Sequence, residues 1–402
     1  MRGERGGRLQ LGLPTRDRAR ARVLAPALVL TLAAPVAASC SSGPASQGSG
    51  RTTTTHAHDA ASTTTAPSTT TTAATSSSLP PVSTSGPFQV SAPIEVPFSA
   101  DRVTAAESPD GAVFVAPQHP TSSSPATAWV VDGNGPAVIA EHVDTGIAAL
   151  AADGANLYVA TYGTVNAYDR ASGNPNGQWS LPPVHPANSS DDGLVSMTAA
   201  AGNVYVSITS GNVVRVYRIN PGSSAAPHLV VTTLGAVIGS DGSIYYETQD
   251  HHLSVLRPGG ATATGAALAH APNGLGGGVQ YVNAVAGGAV WVSEPAGQGL
   301  DAGYKTFDVT TLGSLGSFSG SVNWSVVDTA AGPLVLEPAG ATSTSCPQSS
   351  PSTPSSCVYR IDVHGNVNNP AGVGAAVALL GPGPAVVAAD NTSDQFEVYR
   401  LS

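Results

Sequence analysis

Seven short phrases of one design return along this chain of 402 residues. Each opens on a turn-forming Gly and continues as alternating apolar residues with an aromatic or β-branched centre. They read GAVFVA from Gly111, GANLYVA from Gly154, GNVYVS from Gly202, GSIYYE from Gly242, GAVWVS from Gly288, GPLVLE from Gly332 and GPAVVA from Gly383. Their starts lie 40 to 51 residues apart. A strand-built unit of that length cannot bury its apolar faces alone, but copies stacked side by side in a ring can. No segment carries a sustained helical period with caps. The pattern predicts an all-β fold, a seven-bladed β-propeller of four-stranded antiparallel blades.

The four strands of a repeat can be threaded in order, A innermost and D outermost. In the second repeat they are GIAALAAD, NLYVATY, VNAYDR and GQWSLPPV; in the third, LVSMTAAA, NVYVSIT, VVRVYRI and HLVVTTL. The sixth offers only a weak strand D near Asn366–Asn369, and the last repeat ends at FEVYRLS with no strand D. FQVSAPIEV precedes the first strand A without a blade of its own. The two deficits cancel if Phe88–Val96 pairs with Phe396–Leu401. Such a closure removes two free sheet edges, which would otherwise invite aggregation.

Residues 88–402 are therefore expected to form the propeller domain. Ahead of them, residues 1–22 hold seven Arg against Glu4 and Asp17, and residues 23–38 are uncharged and apolar. A basic head, a short apolar run and small residues predict a secretory signal peptide over 1–39. Residues 40–87 are dominated by Ser, Thr, Ala, Gly and Pro, including two TTTT runs. They hold too few large apolar side chains to offset chain entropy, so a disordered linker is expected. As a flexible coil, its ends would average about 40 Å apart.

The chain carries a formal charge of −10, and −15 beyond the basic head, with one Lys (Lys305) there. Such a surface repels phosphate backbones, so no nucleic-acid partner is expected. Of three cysteines, Cys346 and Cys357 bracket the loop PQSSPSTPSS. A pair closing a short loop in an exported chain predicts a disulfide, contributing about 2–3 kcal/mol by restricting the unfolded chain. No GxSxG, HExxH or CxxC occurs, and Gly276–Gly278 precedes no helical pattern that would make a phosphate-binding loop.

Two resemblances add to this reading. Ala37-Ala38-Ser39-Cys40 resembles the bacterial lipobox, with Ala37 where Leu is commoner. The resemblance implies that Cys40 takes a diacylglycerol and becomes the mature N-terminus. Several acyl chains would then hold the protein at the outer face of the bacterial cytoplasmic membrane. The strand pairs LYVATYGTVNAYD and VYVSITSGNVVRVYRI resemble bacterial propellers of the YVTN and PQQ-like repeat group, as does the Ser-Pro-Asp-Gly turn of the first repeat. This resemblance implies fold and not activity.

Antiparallel order puts the D-to-A and B-to-C connections on one rim. Near the D-to-A turns lie Asp101, Glu141, His142, Asp144, Asp191, Asp192, Asn283 and Asn323; on the B-to-C side lie His119, Tyr162, Asp250, His251, His252, Asp301 and Asp390. Such a rim suits a cation, a sugar or a partner loop, while Asp and Asn are also common simply as turn cappers. Asp250-His251-His252 is the densest group of metal-ligand types, and a tight hairpin turn accounts for it equally well. The expected function is a membrane-anchored extracytoplasmic lipoprotein, a monomer without cofactor. It would serve as a non-catalytic binding or scaffold module for a protein or cell-wall ligand, through Asp101, His142, Asp144, Asp191, Asp192, His251, His252 and Asn283. The alternative is an enzyme of lactonase or lyase type with a divalent metal at the central channel; Asp101, Asp144, Asp191 and Asn283 offer the acidic and amide groups that propeller lactonases use. Trp129, Trp179, Trp291 and Trp324 fall in strands of four different ranks and are expected to pack, not to stack on a quinone.

Overall fold

The computed structural model describes residues 89–99, 102–118, 126–132, 135–143, 147–182, 195–210, 213–268, 281–294, 303–319, 324–337, 356–373, 375–389 and 395–402. The chain divides into Met1–Ser76 and Ser77–Ser402, and the described residues all belong to the second unit. They form 28 strands in seven four-stranded antiparallel sheets. The sheets close in a ring, a seven-bladed β-propeller.

Blade one comprises β2 (Arg102–Glu107), β3 (Val113–Gln118), β4 (Ala126–Asp132) and β5 (Gly135–Val143). Blade two comprises β6 (Ala149–Ala152), β7 (Asn156–Ala160), β8 (Thr164–Asp169) and β9 (Pro175–Ser180), and blade three β10 (Val195–Ala200), β11 (Asn203–Ser210), β12 (Val213–Ile219) and β13 (His228–Thr233). Blade four comprises β14 (Gly235–Ile238), β15 (Ile244–Glu247), β16 (His252–Leu256) and β17 (Thr262–Ala267), and blade five β18 (Tyr281–Ala286), β19 (Ala289–Glu294), β20 (Gly303–Asp308) and β21 (Ser314–Ser319). Blade six comprises β22 (Ser325–Val327), β23 (Leu334–Glu337), β24 (Ser356–Ile361) and β25 (Val367–Val373). In blade seven, β26 (Ala375–Leu380), β27 (Ala385–Ala389) and β28 (Gln395–Arg400) are completed by the N-terminal β1 (Ile94–Ser99).

The expected closure is present. Ile94 pairs with Val398, Glu95 with Glu397 and Val96 with Phe396, and a bridge joins Val90 to Leu401. The Gln89 amide donates to the Ser402 carbonyl at 2.9 Å and the Ser402 amide returns to Gln89 at 3.0 Å. Pairing extends past the expected Val96, because Ser99 still meets Gln395 across a register shift.

The recurring Gly encodes the A-to-B turn and not the strand. Gly111, Gly202, Gly242, Gly288 and Gly332 all adopt positive φ, between 72° and 95°, which L side chains reach only at a cost. The phrase that follows is strand B, buried on both faces, as in Val113–Ala116 and Ala385–Ala388. The fourth strand of blade six is longer than expected. β25 continues past Asn369 through Pro370 to Val373, because an outer edge strand has one unpaired side where a missing N–H is tolerated.

The core is divided by the ring. Seven apolar clusters fill the seven gaps between neighbouring blades. Tyr158 packs with Val204 and Ile219 between blades two and three, and Val96 and Phe396 pack with Val113 and Val131 between blades seven and one. The tryptophans pack as expected. Trp291 is fully buried and donates to the Ala286 carbonyl at 3.0 Å, and Trp179 donates to the Ser223 carbonyl at 2.9 Å. No helix among the described residues is long and apolar enough to cross a membrane.

Candidate functional site

The two rims differ in chemistry. On the rim of A-to-B and C-to-D turns, carboxylates close their own turns. Asp153 Oδ1 accepts the Ala155 and Asn156 amides, each at 2.7 Å, and its Oδ2 accepts the Tyr158 hydroxyl at 2.6 Å. Burial alone would raise this carboxyl, but those hydrogen bonds outweigh it and hold Asp153 below the usual range. Asp308 accepts the Thr311 and Thr310 amides, and Asp362 accepts the His364 and Asn366 amides. Two arginines brace this rim. Arg170 donates to the Asp153 carbonyl at 2.8 Å and pairs with Asp110 of blade one at 3.0 Å. Arg257 donates to the Tyr245 hydroxyl at 3.0 Å and to the Val309 carbonyl of blade five at 2.6 Å.

The opposite rim carries the long connections, 181–194, 268–280 and 338–355 among them. Blade four brings Glu247, His251 and His252 to it. Glu247 ends β15 with its side chain 2% exposed, and its Oε1 stands 2.6 Å from Nδ1 of His251. That hydrogen bond to a buried carboxyl group orients the His251 ring. His251 itself sits at φ 61°, a left-handed conformation uncommon among non-glycine residues but one that His adopts more readily than most. Its amide donates to the Thr248 carbonyl at 3.0 Å, and the Leu268 amide donates to the His251 carbonyl at 2.7 Å.

His252 turns the other way. Its Nδ1 lies 3.3 Å from the Gly265 carbonyl on β17, while Asp250 accepts the Thr248 hydroxyl at 2.5 Å. The side chains of Asp250-His251-His252 diverge, so the triplet is a hairpin turn. Among the described residues no group of three His, Cys, Asp or Glu is placed to hold a metal.

Asn283 occupies the bulge of β18 and donates to the Tyr304 hydroxyl at 3.2 Å, which donates to the Trp324 carbonyl at 3.1 Å. Burial pushes the Tyr304 phenol up to about 12. Tyr304 and Trp324 stack at 5.5 Å, and Trp291 meets Phe318 edge-on at 5.7 Å. Asn283 thus anchors an aromatic seam between blades five and six. At the end of β23, Glu337 is 8% exposed and accepts the Tyr359 hydroxyl.

The structure therefore brings His251, His252 and Asn283 to the predicted rim, where their side chains meet different partners, Glu247, the Gly265 carbonyl and the Tyr304 hydroxyl. His142 lies near the end of β5, and its side chain falls outside the described residues. Asp101, Asp144, Asp191, Asp192, Cys40 and Cys346 also fall outside them. Cys357 is buried in β24 at 2% exposure. The rim carboxylates missed in the sequence are Glu247 and Glu337. Their signal was a charged residue closing an otherwise apolar strand B, in IYYE and LVLE.

The chain matches no protein-family profile and no curated protein sequence. It does resemble solved structures. The β-propeller domain of Cps50 (Swd1) from Myceliophteria thermophila is 12% identical with a TM-score of 0.50, over 79% of this chain and 100% of that one. The WD40 domain of Toxoplasma gondii coronin is 11% identical with a TM-score of 0.44, over 74% and 80%. The PQQ-bound aldose sugar dehydrogenase of Streptomyces coelicolor is 14% identical with a TM-score of 0.36, over 63% and 93%. At such identity the likeness to the Cps50 (Swd1) domain speaks to architecture alone, and that shared architecture is the β-propeller.

Proposed function

We propose that this chain is an exported, membrane-anchored propeller lipoprotein whose D-to-A and B-to-C rim binds a protein or cell-wall ligand without catalysing a reaction. The observation that carries the reading is the inequality of the rims. One rim is made of short turns whose Asp side chains and arginines are committed to bracing the ring. The other holds the longest connections, 338–355, 181–194 and 268–280. Binding residues concentrate on long loops displayed by a rigid scaffold, and loops of this length in a compact domain are usually functional.

Anchoring rests on Cys40 and the 40–87 tether. A Cys346–Cys357 disulfide would close the chain between the two cysteines into a short covalent loop, and Cys357 stands near the start of β24 in blade six. The net negative charge directs attachment away from anionic head groups and toward the acyl chains.

The test pairs localisation with rim-specific variants. In the native host, Cys40→Ala should release the protein from the membrane fraction, and mass spectrometry of the mature chain should find a lipid-modified Cys40. Replacement of 342–353 by a short Gly-Ser link should abolish cross-linking to envelope components, while Thr310→Ala and Thr311→Ala in the C-to-D turn of blade five should leave it intact. An unmodified N-terminus overturns the anchor. Cross-linking indifferent to the long loops overturns the binding rim, and stoichiometric divalent metal in purified protein would favour a lactonase- or lyase-type enzyme instead.

A further inference from the structure

The ring-closing seam holds a carboxyl for which the binding rim has no use. Glu107, the last residue of β2, has a fully buried side chain. Its Oε1 receives Nη1 of Arg400, on β28, at 3.3 Å, while its Oε2 is buried without a hydrogen-bond partner. The Gly383 amide, in the A-to-B turn of blade seven, also donates to this carboxyl. The packing leaves no slack, because a Cβ on Gly383 would fall 2.8 Å from Oε1 and 3.4 Å from the Cα of Gly111.

Arg400 ties three segments together. Its Nη2 reaches the Val131 carbonyl of blade one at 3.4 Å, and its amide donates to Ser91 Oγ at 2.9 Å beside the closing strand β1. Among the described residues, the charged groups facing Glu107 are Arg400 from β28 and Asp110 from its own A-to-B turn. Asp110 is in turn held by Arg170 of blade two at 3.0 Å.

We propose that Glu107 is a proton-controlled clasp on the ring closure: its neutral carboxyl keeps blades one and seven seated, and loss of its proton to solvent loosens the β1–β28 seam while the other blades stay closed. The neutral acid leaves one unpaired O–H at Oε2, which costs less to bury than an anionic oxygen without a donor. Burial pushes this carboxyl up to about 8, and the pull of Arg400 and Gly383 in the other direction is smaller. Below that value Arg400 donates to a neutral carbonyl oxygen. Above it, the new charge draws water into the contact between blades one and seven, beside the strand pairing and apolar packing that hold the chain ends.

Hydrogen exchange on the full mature chain tests the clasp. Amide protection, corrected for intrinsic exchange, is followed from pH 6.5 to pH 9 in β1 and β28 and, as reference, in β11 and β12. Seam protection is expected to fall by about tenfold or more relative to blade three, equivalent to a shift of one pKa unit or more, and Glu107→Gln should hold it constant. Seam and blade three falling together, or Glu107→Gln falling like the native chain, overturns the proposal. Should Glu107→Gln fail to fold, carboxyl-carbon NMR of the native chain decides. A Glu107 titration near pH 8 coincident with seam opening supports the clasp, and a titration in the ordinary acid range overturns it.

Discussion

Val96 lies directly opposite Phe396 in the pair that joins the start of the domain to its end. Both are buried between blades seven and one, and Phe98 tilts against Phe396 at 6.0 Å. The closure is thus an apolar contact as well as a hydrogen-bonded one. Phe396→Ala should cost about 3–5 kcal/mol, the range for truncating a buried aromatic, read as a lowered denaturant midpoint. Deletion of 88–99 should be worse in kind. It would expose the free edge of β28, so the truncated chain is expected to associate in sedimentation experiments, whereas Phe396→Ala is expected to remain monomeric.

What the sequence displays and what it hides follow from where the constraints act. Strand B must be apolar on both faces and must begin at a tight turn, so Gly plus an apolar run marks it every time. Strand D is an edge, free on one side, and its composition is loosely constrained. That is why β25 reads as a weak segment although it spans Val367–Val373. The site was legible only as a rim. Asp250-His251-His252 looks like a ligand set because adjacent letters are adjacent in space, but a hairpin sends neighbouring side chains apart, His251 to Glu247 and His252 to the Gly265 carbonyl. Glu107 and Arg400 show the converse. Nothing local connects them, and their contact exists only because the ring closes.

The turn glycines separate two costs that sequence alone merges. Gly202 has φ 73° with open space where a Cβ would stand, so Gly202→Ala should cost about 1–2 kcal/mol from the backbone alone. Gly365 has φ 86°, and a Cβ there would fall within 2.4–2.7 Å of Phe318. Gly365→Ala adds overpacking of about 1–3 kcal/mol to the backbone strain and should disturb the aromatic seam of blades five and six. Thermal melts should rank the pair, and the tryptophan fluorescence of Trp291 and Trp324 should change for Gly365→Ala only.

The two neighbouring histidines of blade four should respond unequally to truncation. His251→Ala removes a 2.6 Å hydrogen bond from a carboxylate that is 2% exposed, and hydrogen bonds to charged groups contribute about 1.5–3 kcal/mol. His252→Ala removes one 3.3 Å contact to a carbonyl and should cost about 1 kcal/mol or less. Glu247→Gln, combined with each in a double-mutant cycle, should show coupling with His251 and none with His252. Equal losses for the two histidines would contradict the pairing.

Stability should form a dome in pH, with Asp153 shaping one side and Glu107 the other. Asp153 lies below the usual carboxylate range in the folded chain, since its hydrogen bonds from Tyr158, Asn156 and Ala155 outweigh its burial. Its contribution is complete above the unfolded value and is lost as pH falls through the folded one. Glu107 runs in the opposite sense. Burial lifts it from an ordinary 4.5 to about 8, so the folded chain keeps a proton that the unfolded chain has released. Its contribution is complete below the unfolded value and disappears as pH rises through about 8, with a ceiling of about 5 kcal/mol at 1.36 kcal/mol per unit. Denaturant titrations from pH 3 to pH 9 should therefore show Asp153→Asn flattening the acid limb and Glu107→Gln flattening the alkaline limb. Native and Glu107→Gln chains with parallel alkaline limbs would mean that the seam carboxyl is already ionised at neutral pH.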